Sequence, residues 1–148
     1  MLKLILSMFL LVMFSQAKEY KSIFDCSSNN AYYLKTRMWL VGKTMDMIEK
    51  KGDKAIFAIT LHGDCAAIAS SAFKDIVPDK DIDNIKKAQN YLIALSKKRG
   101  VKVTVCAMSL NANAIDRKEV LPFITISENS FIDTIGYQND GYALMSFK

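Results

Sequence analysis

The chain alternates between short apolar runs and longer segments with helical periodicity, and this alternation limits the folds available to it. The run KAIFAITL, residues 54–61, is almost continuously apolar, which is typical of a strand covered on both faces. Residues 31–51 and 83–99 instead carry apolar side chains three and four positions apart, as one face of a helix requires. Strands and helices in alternation predict a mostly parallel sheet between two helix layers.

The same reading predicts five strands and the helices that connect them. Gly52 and Gly100 are expected to end the two long helices, Asp83 to cap the second, and Ser127 or Asn129 to cap the last. The strands are predicted at residues 20–24, 54–61, 101–106, 123–126 and 142–147. The helices are predicted at residues 31–51, 66–73, 83–99, 107–114 and up to 137. Without repeats or linkers, residues 18–148 predict a single three-layer α/β/α domain.

The first seventeen residues, MLKLILSMFLLVMFSQA, have the pattern of a secretory signal peptide. Lys3 gives a positive start, an apolar run of about eleven residues follows, and Ser15 and Ala17 are small residues where a signal peptidase reads. A membrane-spanning helix needs roughly twenty apolar residues, which neither this run nor any later stretch reaches. We therefore predict that residues 1–17 are cleaved on export to the periplasm, with an uncleaved N-terminal anchor as the alternative.

The formal net charge of +5 does not indicate a nucleic-acid-binding protein. The basic residues are spread over predicted helix ends, where cations complement the helix dipole: Lys50–Lys51, Lys86–Lys87 and Lys97–Arg99. No basic stretch is interleaved with aromatic residues as in a groove for single-stranded nucleic acid. A solvated surface is the interpretation that this pattern favours.

The three cysteines and the single histidine all follow predicted strands. Cys26 comes after the first strand, His62 and Cys65 after the second, and Cys106 ends the third. Parallel strands end at one side of a sheet, which we call the carboxyl edge, and functional residues gather there in open α/β folds. If the strands are neighbours, Cys65 is expected close to Cys106. The cysteines are too far apart in sequence for a compact CxxC metal or redox motif.

Several roles remain open for these side chains. Cys106 precedes a predicted helix, whose free N–H groups would favour a reactive thiolate, but a buried structural cysteine fits the local pattern as well. His62 is either a structural histidine or a group that polarises a thiol or an anionic sulfur substrate. Cys65 is a resolving thiol, a disulfide partner or a packing residue. Asn111 or Asn113 adds hydrogen-bond donors or only caps the short helix.

Two stretches of the sequence resemble a known family. VTVCAMSLNANAI, around Cys106, resembles the hVChxxxxxxxhI segment (h, apolar; x, any residue) of the DsrE/DsrF/TusD-type sulfur carriers, in which the cysteine ends a central strand. ISENSFIDTIGYQNDGYALMSF resembles the closing pattern of that family, and Gly63 after His62 matches the HG of exported DsrE-like members. The resemblance extends over residues 20–147.

The resemblance implies a five-stranded sheet in the order 4-3-2-1-5, a homo-oligomer, and a persulfide on Cys106 that is accepted from one partner and passed to another. Two features depart from the cytoplasmic carriers. Those proteins follow the cysteine with an Arg-Arg-Gly turn, where this chain has residues 111–114, Asn-Ala-Asn-Ala. The predicted export also separates this chain from the cytoplasmic partners of those carriers.

The sequence thus favours a periplasmic, sulfurtransferase-like carrier of sulfane sulfur, with Cys106 as its reactive residue and His62, Cys65 and Asn111 as supporting residues. Its partners would be donor and acceptor proteins or small sulfane-sulfur species, and no cofactor or metal is required. The alternative is a non-catalytic binding or assembly module with structural or disulfide-bonded cysteines. A weaker alternative is soft-metal binding, because Cu(I) accepts thiolate and imidazole ligands.

Overall fold

A computed structural model describes residues 17–147 of the chain. The predicted signal peptide lies almost wholly outside these residues. The described strands are β1 (Glu19–Cys26), β2 (Lys54–Leu61), β3 (Lys102–Cys106), β4 (Thr125–Ser127) and β5 (Ala143–Phe147). The helices are α1 (Ala31–Glu49), α2 (Ile82–Arg99), α3 (Ala107–Ala112) and α4 (Ser130–Asn139).

The five strands form one parallel sheet in the order β4-β3-β2-β1-β5, which confirms the predicted order. Strands β1, β2 and β3 are therefore neighbours at its centre. Side chains along a strand alternate between the two faces of the sheet. The register places Cys26 beside Leu61 and Leu61 beside Val105, so these three side chains share one face.

The two long helices α1 and α2 pack against each other and cover that first face. Their apolar side chains and the inward side chains of β1, β2, β3 and β5 form the core, which includes Met38, Val41, Leu92, Ile59 and Val105. Asn30 begins α1 by accepting a hydrogen bond from the Tyr33 N–H, and Gly100 ends α2 in the left-handed conformation, as predicted. Most of the apolar burial therefore lies on this face.

The second face of the sheet is covered mainly by α4. Its Asp133 accepts a hydrogen bond from the Thr104 hydroxyl at 3.5 Å, and its Phe131 ring lies 6.4 Å from the His62 ring. Asn129 caps α4 by accepting from the Phe131 N–H at 2.8 Å, which confirms one of the two predicted caps. Within residues 17–147, the helices are all too short or too polar to span a membrane.

Residues 66–73, predicted as an α-helix, adopt a different structure. The backbone forms a 3₁₀ helix at Gly63–Ala69, Ser70 then forms an antiparallel bridge with Val120, and a short 3₁₀ turn follows. The Gln89 side chain donates to the carbonyls of Ile68 and Ser70, at 3.1 and 2.9 Å. These carbonyls are satisfied by tertiary contacts that local periodicity does not reveal.

Some boundaries also differ from the prediction. Strand β1 extends to Cys26 because β2 and β5 pair with it on both sides up to that residue. Strand β4 begins at Thr125, since the Ile124 N–H bonds to the Leu121 carbonyl in a preceding turn. The α2 helix begins at Ile82, so Asp83 lies in its first turn rather than at its cap, where its charge still favours the helix dipole.

We expect Leu92→Ala to destabilise the protein by about 2–5 kcal/mol, because the Leu92 side chain is fully buried between α2 and the sheet and its removal leaves a cavity. Chemical denaturation of both proteins would measure the difference. The exposed Met47 of α1 offers a matched control, since Met47→Ala should change the free energy of unfolding very little. Equal effects of the two substitutions would show that Leu92 does not belong to the core.

Candidate functional site

Cys106 lies at the junction between β3 and α3, where it is the N-cap residue with an extended backbone. Side chains along β3 alternate between the two faces of the sheet. Val103 and Val105 face the core, whereas Thr104 and Cys106 face the second layer. Residue Cys106 is only 4% exposed. It is the free cysteine of the three, and all three lie in the described part of the chain.

Two opposing effects act on the Cys106 thiol. Burial raises its pKa, because a charged sulfur loses hydration. The backbone N–H groups of Ser109, Ser130 and Met108 and the Ser109 hydroxyl all favour the thiolate, and together they outweigh burial, so the pKa lies below its ordinary value. Met108 and Ser109 belong to the first turn of α3, while Ser130 is the first residue of α4. The sulfur thus lies between the starts of two helices.

The neutral thiol has an acceptor as well. Its Sγ–H points to the Glu128 carbonyl with an Sγ···O distance of 3.9 Å, a long and weak contact. Sγ makes no well-aligned N-cap hydrogen bond to α3, so the surrounding N–H groups act on the sulfur mainly through their partial charges. The site can therefore hold either protonation state, and ionisation requires no new donor.

Ser109 links Cys106 to the loop that follows β2. Its Oγ accepts a hydrogen bond from the Gly63 N–H at 2.8 Å, which leaves its own proton available for the sulfur. Asn113 supports the same arrangement, because its side-chain amide donates to the carbonyls of Gly63 at 3.0 Å and Ser109 at 2.8 Å. The first turn of α3 and the loop are thereby held together at the carboxyl edge.

His62 follows β2 and forms an ion pair with Asp25, with 2.9 Å between Nε2 and Oδ1. Thr60 lies two residues earlier, on the same face of the sheet, and donates its hydroxyl to the same Asp25 oxygen at 3.0 Å. The contact with Asp25 raises the pKa of His62, although burial opposes it; the Asp25 charge and the Cys106 charge add to the rise. The direct contact with the Asp25 carboxylate therefore has a larger effect on the pKa of His62 than either of the longer-range charges.

Cys65 forms a disulfide with Cys26, with their Cα atoms 5.9 Å apart, a separation usual for such bonds. Of the roles left open for Cys65, the disulfide partner is the one that the structure contains. Both half-cystines are fully buried on the face covered by α1 and α2. Cys65 does not pair with Cys106, because it bonds to a cysteine on the opposite side of the sheet from the Cys106 sulfur, and Cys106 remains free.

The structure therefore brings together Cys106 and His62 but not the whole predicted set. Asn111 is exposed on α3, and Asn113 makes the contacts that either asparagine was expected to provide. Sequence reasoning missed Asp25, Ser109 and Ser130. The spacing of Cys106 and Ser109 is that of an N-cap and its third helical residue and could have indicated Ser109. Nothing local indicates Ser130, which arrives from a distant helix.

We expect a single imidazole titration with a pKa above the ordinary value of 6.5, since His62 is the only histidine in the sequence. Asp25→Asn should lower this pKa, because it removes the charge that stabilises the imidazolium. Proton NMR of the ring would measure both values, with Asp64→Asn, an exposed neighbour, as the control. An unchanged titration in Asp25→Asn would contradict the ion pair.

The same shift has a consequence for stability. A raised folded-state pKa means that protonated His62 stabilises the fold fully below its unfolded-state pKa. This contribution is lost as the pH rises through the folded-state pKa. The melting temperatures of wild type and His62→Gln should therefore differ more in mild acid than in mild base.

Comparison with known proteins identifies the fold and the family. An uncharacterized protein of Aquifex aeolicus (strain VF5) is 30% identical over 137 residues, which is 93% of this chain; the chain spans 60% of that protein's length. Two solved structures are similar at 12% identity, each over 86% of this chain and 99% of its own. They are the protein of unknown function MTH1491 from Methanobacterium thermoautotrophicum, with a TM-score of 0.61, and the ychN protein from E. coli, with a TM-score of 0.53. Residues 21–147 match the DsrE/DsrF-like family, and the chain belongs to that family.

Proposed function

We propose that this protein is an exported sulfur-relay protein that carries sulfane sulfur as a persulfide on Cys106. The observation that carries the proposal is the environment of this thiol. It is the one cysteine outside the disulfide, and N–H groups from the starts of α3 and α4 favour its thiolate form despite burial. A thiolate is the species that attacks sulfane sulfur. The sulfur-relay-type fold of the DsrE/DsrF-like family agrees with this role.

The chemistry requires only thiol and persulfide partners. The Cys106 thiolate attacks the outer sulfur of a donor persulfide, R–S–SH; a new S–S bond forms, the donor S–S bond breaks, and R–S⁻ leaves with the bonding electron pair. The acceptor thiolate then attacks the outer sulfur of the Cys106 persulfide, and the Cys106 thiolate leaves. Each step exchanges one S–S bond for another, so no external oxidant or reductant is consumed.

His62 has two tasks in this proposal. Its raised pKa keeps it protonated further toward neutral pH, so its positive charge favours the Cys106 thiolate and the ionised persulfide. The imidazolium can also give its proton to the departing R–S⁻, and Asp25 holds the ring in position. The carboxylate of Asp25 is in turn oriented by the Thr60 hydroxyl.

The carboxyl edge also sets the route by which a sulfur donor approaches. Cys106 itself is buried, whereas Met108 and Phe131, which adjoin the two helix starts, have 63% and 69% of their surfaces exposed. Small sulfane-sulfur species or the persulfide loop of a donor protein would reach the thiol between these apolar side chains. Neither class of donor needs a deep cleft, because only one sulfur atom is transferred.

The Cys26–Cys65 disulfide supports periplasmic export, because such bonds persist mainly in oxidising compartments. It also fits the rival interpretation in part, since two of the three cysteines are structural. Cys106 distinguishes the two interpretations, because a purely structural cysteine gains nothing from donors that stabilise its ionised form. The disulfide weakens the soft-metal alternative by removing two thiolates from the possible ligands.

We also propose that the protein forms a homo-oligomer through the exposed apolar side chains of α4. Ile132 and Ile135 of α4 are more than half exposed, and Leu144 of the edge strand β5, which faces the same side of the sheet, is 40% exposed. Ser130 is the buried residue of this helix, so most of its apolar surface faces away from the sheet. An exposed apolar cluster of this kind usually marks an interaction surface.

The oligomer proposal predicts that Ile132→Lys reduces the assembled mass toward that of a monomer, because a charge would be buried in the interface. Light scattering after size-exclusion chromatography would measure the mass. Met47→Lys, at an equally exposed position on α1, is the matched control and should leave the mass unchanged. A monomeric wild type would reject the proposal.

The carrier proposal predicts that wild-type protein gains the mass of one or more sulfur atoms after incubation with a polysulfide, and that Cys106→Ser gains none. The oxidised chain has a single free thiol, so intact-mass spectrometry reports loading at Cys106 alone. Cys106→Ser should retain its melting temperature within a few degrees. Failure of the wild type to load, or equal loading of both proteins, would reject persulfide formation on Cys106.

A further inference from the structure

Residues 62–65, which we call the 62–65 segment, connect the buried disulfide with the Cys106 site. Cys26 holds this segment at both ends. The Cys26 carbonyl accepts the His62 N–H at 2.9 Å, and the Cys26 sulfur is bonded to Cys65. The Cys65 N–H also donates to the His62 carbonyl at 3.1 Å, which closes the segment on itself. The disulfide therefore limits the positions that the two residues between its anchors can adopt.

The same segment contacts α3 through Gly63. Its N–H donates to Ser109 Oγ at 2.8 Å, and its carbonyl accepts from the Asn113 amide at 3.0 Å. Gly63 has a φ of +52°, which favours glycine, and a Cβ at this position would lie 3.4 Å from the Ser27 carbonyl. The segment therefore runs beside the backbone at Ser27, and its N–H reaches Ser109 through a single short hydrogen bond.

We propose that the Cys26–Cys65 disulfide is a positioning element for Cys106: it fixes Gly63, and Gly63 orients the Ser109 hydroxyl toward the Cys106 sulfur. The proposal deepens the carrier function and rests on it for its biological meaning. The disulfide does not exchange with Cys106, because the sheet separates the two. Instead, the disulfide acts from the opposite face of the sheet, by fixing the segment that contacts Ser109.

The physical argument concerns the direction of one O–H bond. A serine inside a helix usually donates its hydroxyl proton to a carbonyl three or four residues earlier, here that of Cys106 or Val105. The Gly63 N–H occupies a lone pair of Ser109 Oγ and so restricts the directions left for the O–H. With Gly63 fixed, the hydroxyl can serve the sulfur; without it, the backbone carbonyls compete for the proton.

Other groups around the sulfur do not depend on the disulfide to the same degree. The Ser130 N–H and the Glu128 carbonyl come from the β4–α4 junction, and Asp133 of α4 is bound to Thr104. In contrast, Asp25 directly precedes Cys26, and His62 begins the segment that ends at Cys65. Loss of the disulfide should therefore weaken the contributions of Ser109 and His62 to the thiolate and preserve those of α4.

This arrangement gives the oxidation of the chain a functional consequence. Closing the bond removes two electrons and two protons from the Cys26 and Cys65 thiols and reduces the disulfide of a thiol–disulfide oxidant to two thiols. Cys106 would become fully reactive only after this step. A chain that has not yet been oxidised would then carry a less reactive thiol.

The test uses Cys26→Ala/Cys65→Ala, which removes the disulfide and leaves Cys106 as the only cysteine. Oxidised wild type also has one free thiol, so iodoacetamide labels the same residue in both proteins. The rate of labelling is measured against pH, because the midpoint of this profile reports the thiol pKa whatever the accessibility of the sulfur. We expect the midpoint to move to higher pH. Below both midpoints, each unit of movement slows labelling about tenfold.

Ser109 variants test the route of the coupling. Ser109→Ala should raise the midpoint in wild type and raise it much less in the disulfide-free protein, because the two changes remove the same contact. Ser109→Thr, which keeps the hydroxyl, should restore most of the wild-type midpoint. Additive shifts in the double-mutant cycle would overturn the route through Ser109.

A destabilised control separates positioning from general loosening. Val41→Ala creates a cavity in the core beneath α1, beside Phe24 and Phe57, and should lower the melting temperature without moving the midpoint. If the disulfide-free protein likewise melts lower with an unchanged midpoint, the disulfide is only a structural brace and the proposal is rejected. Labelling does not involve sulfane sulfur, so this result is independent of whether the protein loads polysulfide.

Discussion

The parallel pairing of β1, β2 and β3 is the interaction on which the site depends. Register places Asp25 beside Thr60 and Thr60 beside Thr104, all toward α4. One residue further along, Cys26, Leu61 and Val105 all face α1 and α2. A single step along each strand thus separates the disulfide in the core from the polar groups of the site, and a register slip of one residue would exchange them.

At Cys106, burial and hydrogen-bond donors have opposite effects on the thiol, and the donors prevail because helix starts provide N–H groups without intrahelical partners. The two helices contribute differently. In α3 the cysteine is itself the cap, so the N–H groups of the first turn lie beneath it. In α4 the Asn129 side chain takes the Phe131 N–H, and the Ser130 N–H remains for the sulfur. The cap of α4 therefore allows a distant helix to act on Cys106.

The sequence predicted well what depends on local pattern and less well what depends on distant partners. The apolar run of β2 gave the bounds of that strand without error, and Gly100 and Asn129 marked helix ends because their preferences are local. The strand order came from family resemblance. The 3₁₀ helix at Gly63–Ala69 could not be predicted, because Gln89 and the bridge at Ser70 satisfy its backbone.

In the candidate site, too, features that depend on local pattern were predicted and features that depend on distant partners were not. The clustering of Cys106 and His62 followed from the strand ends, whereas the partners of His62 and Cys65 could not be predicted. Asp25 pairs with His62 through the register of β1 and β2, and Cys65 selects Cys26 because their Cα atoms meet at a bonding distance in the folded chain. Both partners lie more than thirty residues away in sequence. No local pattern relates residues so far apart.

The two helix layers differ in what they can cover. The layer of α1 and α2 meets a face of mostly apolar side chains and buries its centre, including the disulfide. The second face carries Asp25, Thr60, His62 and Thr104 toward the carboxyl edge, and an apolar cover over these groups would leave polar atoms without hydration or partners. The short, amphipathic α4 supplies partners to some of them and leaves the His62 side chain 19% exposed. A thinner layer over this face is therefore what its polar residues allow, and it is also what the proposed transfer of sulfur to and from Cys106 would require.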